Sequence, residues 1–371
     1  MRPLIELIRH EIVTSGVLPF DRFMELALYC PDYGFYEVKK DNPGRGGDFY
    51  TSVSVGELFG QLLAFQFSKW LETETESPKS RIRIVEAGAH DGKLARTILA
   101  WLQTCRPGLF GHIEYWIIEP SVRRQDWQKD ELKAWAPRVR WFTDLHAAAL
   151  QCLTGIIFSN ELLDAMPVQR FGWDATEKRW FEWGVALEGG QFVWAKVQKP
   201  AVGRRKAQTN LPSALCHLPS GLLAVLPDGY TIEVSPAAEN WWRDAASILE
   251  RGWLMTIDYG LGADELFSPA RLRGTLRAYF RHHFADDLLA NVGEQDLTAH
   301  VNFPAIQAVG EFAGLKTESF ATQAQFLTRI LDAAMKDQSF GEWNASRTRQ
   351  FQTLTHPEHL GRPFRVLVQS R

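Results

Sequence analysis

The sequence has few cysteines, no long apolar run and no excess of charge of either sign. Its four cysteines form no CxxC or CxxH pair, which argues against zinc and thioredoxin-like motifs and fits a reducing compartment. Lysine and arginine number 41 against 44 acidic residues, a balance that disfavours binding to nucleic acid or to an anionic membrane. No stretch approaches the roughly 20 apolar residues of a transmembrane helix. We expect no metal site.

Tryptophan, in contrast, is abundant, with 14 residues in a chain of 371. The length corresponds to two or three domains of about 150 residues. The N-terminal residues 1–16 do not resemble a signal peptide, because Glu6 and Arg9 interrupt any apolar core. They predict an amphipathic helix instead, with Leu4, Ile8 and Ile12 on one face.

Short apolar runs alternate with helical patterns through much of the chain. Runs at 82–88, 115–120, 139–142, 155–160 and 253–260 predict parallel strands that are buried on both faces. Helical patterns between them predict a Rossmann-like, doubly wound α/β fold with a mostly parallel sheet.

The alternation is interrupted twice, which suggests a core with insertions. Turn signals at 174–178 and 188–190 predict an antiparallel meander over 168–198, and 315–321 with 364–370 predict a closing strand pair. The expected segments are a helical extension with a cofactor-covering loop (1–80), the first part of the core (81–165), an antiparallel β insertion and loop (166–218), the core continued (219–262), a second insertion (263–310) and the C-terminal part of the core (311–371).

The most informative motif lies at the end of the first predicted sheet strand. Glu86 precedes Gly88 and Gly92, and glycine lets a backbone pass close to a ligand outside the carboxyl ends of the strands. Glu119 ends the next strand, where a carboxylate can accept both ribose hydroxyls, and Asp144 can accept from an adenine amino group. Acids at three strand ends favour S-adenosylmethionine over a nicotinamide cofactor. A tight turn that binds nothing is the alternative.

A second motif, FSNELLDAMP, follows the fourth predicted strand. Asn160, Glu161 and Asp164 cluster where a substrate amino or guanidino group would lie. Carboxylates bind guanidinium through charge-assisted hydrogen bonds and can accept its proton. In the alternative interpretation, Asn160 and Asp164 cap a helix.

Two further regions carry polar residues inside apolar or glycine-rich stretches. Thr275, Arg277, His282 and His300 lie in the segments GTLRAYFRHH and DLTAHVNF, where histidines can handle protons but are more often structural.

The loop GRGGDFYTS at 44–52 can fold over a cofactor, with Asp48, Phe49, Thr51 and Ser52 as its polar and aromatic groups. An ordinary surface turn is the alternative.

Taken together, these motifs resemble the MidA-like methyltransferases, a family that includes a mitochondrial complex I assembly factor that dimethylates an arginine. The resemblance runs through nearly the whole chain in MELALYCPDYGFY (24–36), GGDFYTS…ELFG (46–60), IVEAGAHDG (84–92), NELLDAMPVQRF (160–171), IDYG (257–260), GTLRAYFRH (274–282), DLTAHVNF (296–303), TQAQFL (322–327) and HPEHLGRPFRVL (356–367). It implies a class I methyltransferase sheet with a helical N-terminal extension, S-adenosyl-L-methionine as cofactor and an arginine-bearing protein as partner.

The chain departs from the family pattern at three places. His90 replaces the middle glycine of the family's Gly-Pro-Gly-x-Gly, which predicts less space for the methionine moiety. Residues 53–56 lack a carboxylate that the family has, and Asn302 stands where an aspartate is usual. The residues expected to contact the cofactor are Asp48, Phe49, Thr51, Glu86, Gly88, Ala89, His90, Gly92, Glu119, Pro120, Asp144, Leu145 and Asn160.

Three functions stay open from the sequence. The first is methylation of a protein arginine, with Asn160, Glu161, Asp164, Arg277 and His282 as catalytic residues. The second is methylation of a small molecule, and the third is a non-catalytic assembly factor whose tryptophans face a partner. A nicotinamide-dependent oxidoreductase is disfavoured, since GxGxxG is absent. We expect bacterial cytoplasm, or the mitochondrial matrix for a processed eukaryotic chain, and the sequence allows a homodimer.

Overall fold

The computed structural model gives the architecture of most of the chain. The residues that it describes are 2–38, 51–72, 82–148, 153–197, 220–266, 268, 271–281, 283–337 and 340–371.

Strands and helices alternate through the described residues. The strands are β1 (Leu18–Pro19), β2 (Ile82–Ala87), β3 (Ile113–Ile118), β4 (Val139–Phe142), β5 (Leu153–Asn160), β6 (Gln169–Asp174), β7 (Arg179–Glu188), β8 (Gln191–Lys196), β9 (Thr231–Val234), β10 (Leu249–Leu261), β11 (Arg277–Phe280), β12 (His283–Ala285), β13 (Asp296–Thr298), β14 (Val301–Asn302), β15 (Lys316–Thr322) and β16 (Phe364–Ser370). The helices are α1 (Arg2–Ser15), α2 (Phe20–Tyr29), α3 (Phe35–Val38), α4 (Ser52–Val55), α5 (Leu58–Glu72), α6 (Lys93–Cys105), α7 (Pro107–Phe110), α8 (Val122–Glu131), α9 (Leu145–Ala148), α10 (Ser220–Val225), α11 (Pro236–Ile248), α12 (Ala263–Leu266), α13 (Phe303–Phe312), α14 (Gln323–Ala334) and α15 (Ala345–Thr355), with a 3-10 helix at Lys133–Arg138.

The chain forms two compact units, each built from separate stretches of sequence. Unit 1 comprises Met1–Lys39, Asp164–Asn240 and Leu261–Ala305, and Unit 2 comprises Lys40–Leu163, Trp241–Gly260 and Ile306–Arg371.

Unit 2 contains the predicted parallel sheet. Its strand order is β4-β3-β2-β5-β10-β16-β15, and the pairs from β4 through β10 are parallel. Strand β16 runs antiparallel to both β10 and β15, which confirms the predicted closing strand pair. The expected doubly wound α/β fold is therefore confirmed, and the carboxyl ends of β2, β3 and β5 meet at one edge of the sheet.

The core of Unit 2 surrounds this sheet. Helix α5 is apolar on most of its surface, and Phe59, Phe65 and Phe67 on it are fully buried. This helix begins at Leu58, two residues after Gly56. The reason is that Gly56 has a φ of 149°, which lies outside the helical region.

Unit 1 contains the predicted antiparallel meander. Strands β6, β7 and β8 pair in sequence, with turns at 175–178 and 189–190. Strand β9 joins the same sheet through β6, so residues 219–240 belong to Unit 1 and not to the core that we expected to continue there. The physical reason is packing. Ile232 and Val234 of β9 are buried in a cluster with Phe171 and Trp173 of the meander strand β6.

The aromatic side chains of the meander pack inside Unit 1. Trp194 lies 4.9 Å from Phe20 between ring centroids, and Phe192 lies 5.8 Å from Phe23. Trp180 is 5 % exposed. Trp194 and Phe192 thus cover α2, whereas Trp180 packs against Trp173 in a separate cluster, so these three side chains pack within Unit 1.

The N-terminal helix α1 is amphipathic, as predicted. Leu4, Ile8 and Ile12 are buried at a spacing of four residues, which places them on one face of the helix. No described helix has both the length and the apolar character that a membrane span requires.

Candidate functional site

Two turns at the carboxyl edge of the Unit 2 sheet bring the predicted site residues together. We call residues 88–92 the β2 turn, and residues 161–163 the β5 turn. Both turns follow a buried parallel strand, which is where open α/β sheets bind their ligands.

The β2 turn has a left-handed backbone at three of its five residues. The φ angles are 72° at Gly88, 46° at His90 and 83° at Gly92. At Gly88 the positive φ favours glycine, and an added Cβ would also lie 2.8 Å from the end of the Leu162 side chain. His90 is a non-glycine residue in this region, which is uncommon and marks functional sites.

The imidazole of His90 has a buried, unused polar atom. Its Nδ1 has no hydrogen-bond partner among the described residues and lies 3.9 Å from Asp91 Oδ1. Burial raises the pKa of Asp91, but contacts with His90 and Lys93 outweigh burial and hold that pKa well below its usual range. A buried polar atom without a partner is costly unless a ligand satisfies it.

The strand-end acid Glu86 is buried beside a tyrosine. Tyr115 donates a hydrogen bond of 2.5 Å from its hydroxyl to Glu86 Oε2. Burial raises the pKa of Glu86 to about 7, and the Tyr115 hydrogen bond opposes this effect only in part. The same burial raises the pKa of Tyr115 well above its usual value. Glu86 therefore holds a proton over part of the neutral pH range.

Glu119, at the end of β3, has its carboxylate fixed by the start of α8. Ser121 donates its backbone N–H to Oε1 at 2.9 Å, and Gln128 donates its Nε2 to Oε2 at 3.2 Å. The guanidinium of Arg124 lies 3.8 Å from Oε2. Pro120 separates Glu119 from this helix start. A carboxylate that is held at both oxygens is oriented before any ligand arrives.

Asp144 has a local structural role. Its Oδ1 accepts the backbone N–H of Ala147 at 2.7 Å, and its Oδ2 accepts the Thr143 hydroxyl at 3.1 Å. These contacts cap α9, which begins at Leu145, and the backbone hydrogen bond from Ala147 lowers the pKa of Asp144. Adenine recognition by Asp144 and Leu145 stays a prediction.

The β5 turn places Glu161 in the left-handed region, with a φ of 53°. Its backbone N–H donates to Ile257 O at 2.9 Å. The carboxylate Oε1 accepts Asn160 Nδ2 at 3.0 Å and the backbone N–H of Ser52 at 3.3 Å. This conformation is strained for glutamate, so the surrounding hydrogen bonds determine it.

Asp258 is the residue that fixes the β5 turn. Its Oδ2 accepts the backbone N–H groups of Leu162 at 3.1 Å and Leu163 at 2.8 Å, and its Oδ1 accepts that of Tyr259 at 2.8 Å. Asp258 is fully buried. Burial raises the pKa of Asp258, and the negative charge of Glu161 raises it further. A buried carboxylate thus supports the turn that carries Glu161.

Unit 1 contains the other predicted catalytic residues. Asp164 is 7 % exposed, and its carbonyl accepts the backbone N–H of Ala299 at 2.9 Å. Burial, and then the charge of Asp296, raise the pKa of Tyr36 well above its usual value, and Asp164 adds to this effect. Arg277 donates from Nη1 to Leu276 O at 2.8 Å.

Thr275 and His300, also in Unit 1, belong to a buried network. Thr275 donates its backbone N–H and its hydroxyl to Glu233 Oε2, at 2.7 and 3.1 Å. The His300 backbone N–H donates to the Thr275 hydroxyl oxygen at 3.2 Å. Gly274 leaves room for this carboxylate, because an added Cβ would lie 2.3 Å from Glu233 Oε1. Thr275 is therefore structural.

Only part of the predicted covering loop lies within the described residues. Asp48 and Phe49 of this loop lie outside them, and so does His282 of the segment GTLRAYFRHH. Thr51 is the N-cap of α4, where its hydroxyl oxygen accepts the Ser54 N–H at 3.1 Å. Its neighbour Ser52 is fully buried and contacts Glu161 as described above.

Two residues at this edge were not among the predicted site residues. Gln128 lies in a strongly polar helix segment, where nothing in the sequence separates it from solvent-exposed glutamines. Asp258 did have a signal, because an aspartate ends the strand run WLMTIDYG next to the predicted site.

The residues of this edge fit the expected S-adenosyl-L-methionine. The β2 turn offers backbone groups without side-chain obstruction at Gly88 and Gly92, Glu119 offers an oriented carboxylate, and His90 offers a buried donor or acceptor. Within the described residues, no group of three or more histidine, cysteine or acidic side chains is suited to a metal ion.

Comparison with known proteins agrees with this geometry. A family model described as an S-adenosyl-L-methionine-dependent methyltransferase matches residues 62–321. A crystal structure of a Burkholderia thailandensis protein bound to S-adenosyl-homocysteine is 32 % identical, with a TM-score of 0.83 over 100 % of this chain and 92 % of that one.

Curated relatives match most of the chain. One relative, from Drosophila melanogaster, is named "Protein arginine methyltransferase NDUFAF7 homolog, mitochondrial". It is 24 % identical, over 98 % of this chain and 84 % of the relative. The human protein arginine methyltransferase NDUFAF7, mitochondrial, is 25 % identical, over 84 % of this chain and 70 % of the relative.

Proposed function

Since the chain belongs to this family of S-adenosyl-L-methionine-dependent methyltransferases, we propose that its methyl acceptor is an arginine side chain of a protein. Glu161 is the residue that receives the guanidinium group. The observation that carries the proposal is the geometry of the β5 turn, where a strained Glu161 is held at the carboxyl edge of the sheet by Asn160 and Ser52. The names of the curated relatives support the same acceptor.

Cofactor binding is assigned to the β2 turn and to Glu119. When bound, S-adenosyl-L-methionine supplies a methyl group on an electrophilic sulfonium carbon. The Glu119 carboxylate accepts hydrogen bonds from the ribose hydroxyls, and the Gly88 and Gly92 backbones accommodate the methionine part. Ala89 and Pro120 border these residues. His90 keeps the left-handed backbone of a glycine, so the turn retains its shape despite the larger side chain.

Glu161 has two tasks with an arginine acceptor. Free guanidinium is protonated at neutral pH and has no lone pair to attack with. The Glu161 carboxylate orients the guanidinium through charge-assisted hydrogen bonds and accepts one proton as the nitrogen–carbon bond forms and the carbon–sulfur bond breaks. S-adenosylhomocysteine and a methylated arginine are the products. Alignment of the acceptor nitrogen supplies much of the rate.

The decisive experiment transfers labelled methyl groups from S-adenosyl-L-methionine to proteins of a cell extract. We expect protein-bound label that acid hydrolysis yields as methylarginine. The Glu161→Gln variant should lower this rate by at least about 100-fold, because it removes the proton acceptor. Glu250→Gln, a change at an exposed glutamate of the same unit, is the matched control.

Two results would contradict the proposal. Full methylation by Glu161→Gln would remove its role, and label found only in small molecules would favour the second acceptor class. Asp164 and Arg277 stay predicted catalytic residues, and the homodimer stays a prediction as well.

For the compartment, the curated relatives are mitochondrial by name, whereas the similar crystal structure is bacterial. We propose the bacterial cytoplasm, and cell fractionation with an antibody against the chain tests it.

A further inference from the structure

A buried glutamine links three elements of the cofactor edge. Gln128 lies on α8 and is 0 % exposed. Its Nε2 donates to the His90 carbonyl at 3.0 Å and to Glu119 Oε2 at 3.2 Å. Its Oε1 accepts the indole N–H of Trp141, on β4, at 3.0 Å. One amide group thus connects the β2 turn, the end of β3 and β4.

The surroundings of Gln128 are shaped around this side chain. Gly92 packs directly against it, since an added Cβ at Gly92 would lie 3.4 Å from Gln128 Cα and 3.7 Å from its Cβ. Both amide hydrogens of Gln128 have acceptors, and its oxygen has a donor. A buried polar side chain with every contact made is one that specifies a single local arrangement.

The chemistry of an amide suits this place better than a charged group does. The planar NH₂ group directs its two hydrogens to two acceptors, so it fixes the Glu119 carboxylate relative to the His90 backbone. Being neutral, the amide leaves the charge of Glu119 in place for ligand hydroxyls. The contacts from Ser121 and Arg124 restrain the same carboxylate but do not reach the β2 turn in any described contact.

We propose that Gln128 is a positioning residue, which sets the Glu119 carboxylate and the β2 turn in the relative orientation that S-adenosyl-L-methionine requires. The inference rests on the proposed contact between Glu119 and the ribose. Gln128 itself touches protein atoms, and its effect on the ligand passes through Glu119 and His90.

The test compares two ligands in calorimetric titrations of the full chain. S-adenosylhomocysteine carries both ribose hydroxyls, and its 2′-deoxy analogue lacks one. We expect the wild-type chain to bind the analogue about tenfold more weakly, the effect of roughly one charge-assisted hydrogen bond. Gln128→Met should bind S-adenosylhomocysteine about tenfold more weakly than wild type, and should lose under about threefold on removal of the hydroxyl.

Gln125→Met is the matched control on the same helix. Gln125 donates to the main-chain oxygen of Glu119 at 2.8 Å and not to its carboxylate. We expect this variant to discriminate between the two ligands as the wild type does, even where its melting temperature falls as far as that of Gln128→Met. Gln128→Glu keeps the side-chain volume and is the second test variant, for the case that Gln128→Met does not fold. Its carboxyl has at most one hydrogen and cannot donate to both Glu119 and the His90 carbonyl, so the discrimination should be lost too.

The outcomes separate the inference from the proposal beneath it. Wild-type discrimination retained in Gln128→Met and Gln128→Glu would overturn the positioning role and leave Glu119 as ribose ligand. A wild-type chain that binds both ligands equally would overturn the role of Glu119 and this inference with it. Loss of discrimination in Gln125→Met as well would assign the effect to helix α8 in general and overturn a specific role for Gln128.

Discussion

The β2 turn and the β5 turn share a left-handed backbone residue but are held by different side chains. Each leaves a buried parallel strand and holds one non-glycine residue at positive φ, His90 at 46° and Glu161 at 53°. A neutral amide, Gln128, fixes the first turn, whereas a buried carboxylate, Asp258, fixes the second. The turn assigned to the cofactor is thus tied to Glu119 by a neutral amide, and its own Asp91 lies 2.6 Å from the ammonium group of Lys93. The turn assigned to the acceptor is held by a buried acid whose pKa is raised by burial and by the charge of Glu161.

The largest expected effect comes from removing the acid that supports the β5 turn. Asp258→Ala leaves three backbone N–H groups without their acceptor, at Leu162, Leu163 and Tyr259. Each buried donor without a partner costs about 1–3 kcal/mol, so we expect the free energy of unfolding to fall by at least about 3 kcal/mol. Urea denaturation measures this. Asp174→Asn, at a half-buried aspartate that accepts the backbone N–H of Glu177, should cost under about 1 kcal/mol. Equal losses in the two variants would refute the supporting role of Asp258.

Glu86, which precedes the β2 turn, should make the free energy of unfolding depend on pH. Burial raises the pKa of Glu86 from 4.5 to about 7, so the folded protein binds a proton that the unfolded chain has lost in this range. Stability from this group is therefore complete below pH 4.5 and is lost as the pH rises through about 7. We expect Glu86→Gln to match the wild type near pH 4.5 and to exceed its unfolding free energy by about 3 kcal/mol above pH 7. A difference that is constant over pH, measured by denaturation at several pH values, would contradict the raised pKa.

The smallest effect concerns backbone strain at the two turns. The left-handed region costs a non-glycine residue about 1 kcal/mol, and glycine avoids that cost. We expect His90→Gly to be about 1 kcal/mol more stable than His90→Ala, because both variants lack the imidazole and differ in strain. Glu161→Gly and Glu161→Ala should differ in the same way. Thermal denaturation of the four variants tests this, and an alanine variant equal to its glycine partner would show that the turn relaxes.

Much of the fold followed from periodicity in the sequence. Buried parallel strands read as continuous apolar runs, which is why β2, β3, β4, β5 and β10 were predictable. The assignment of 219–240 failed for a physical reason. Strand β9 is short, and only its pairing with β6 shows which sheet it joins.

The site was predictable where residue type and strand end coincide. Glu86, Glu119 and Glu161 were predicted as site residues because acids at the ends of buried runs have few structural explanations, and their roles stay predictions. The same argument predicted Asp144, whose carboxylate caps a short helix in the structure and whose contact with adenine stays a prediction. Gln128 could not be found, because its burial depends on the packing of α8 against Gly92 and Trp141.

The separation of cofactor binding by Glu119 from acceptor binding by Glu161 is tested most directly by one titration series. S-adenosylhomocysteine is titrated into the wild-type chain, Glu119→Gln and Glu161→Gln. We predict that Glu119→Gln binds at least about tenfold more weakly, because it loses charge-assisted hydrogen bonds, and that Glu161→Gln binds as the wild type does. A Glu161→Gln variant that loses affinity as much as Glu119→Gln would contradict the account.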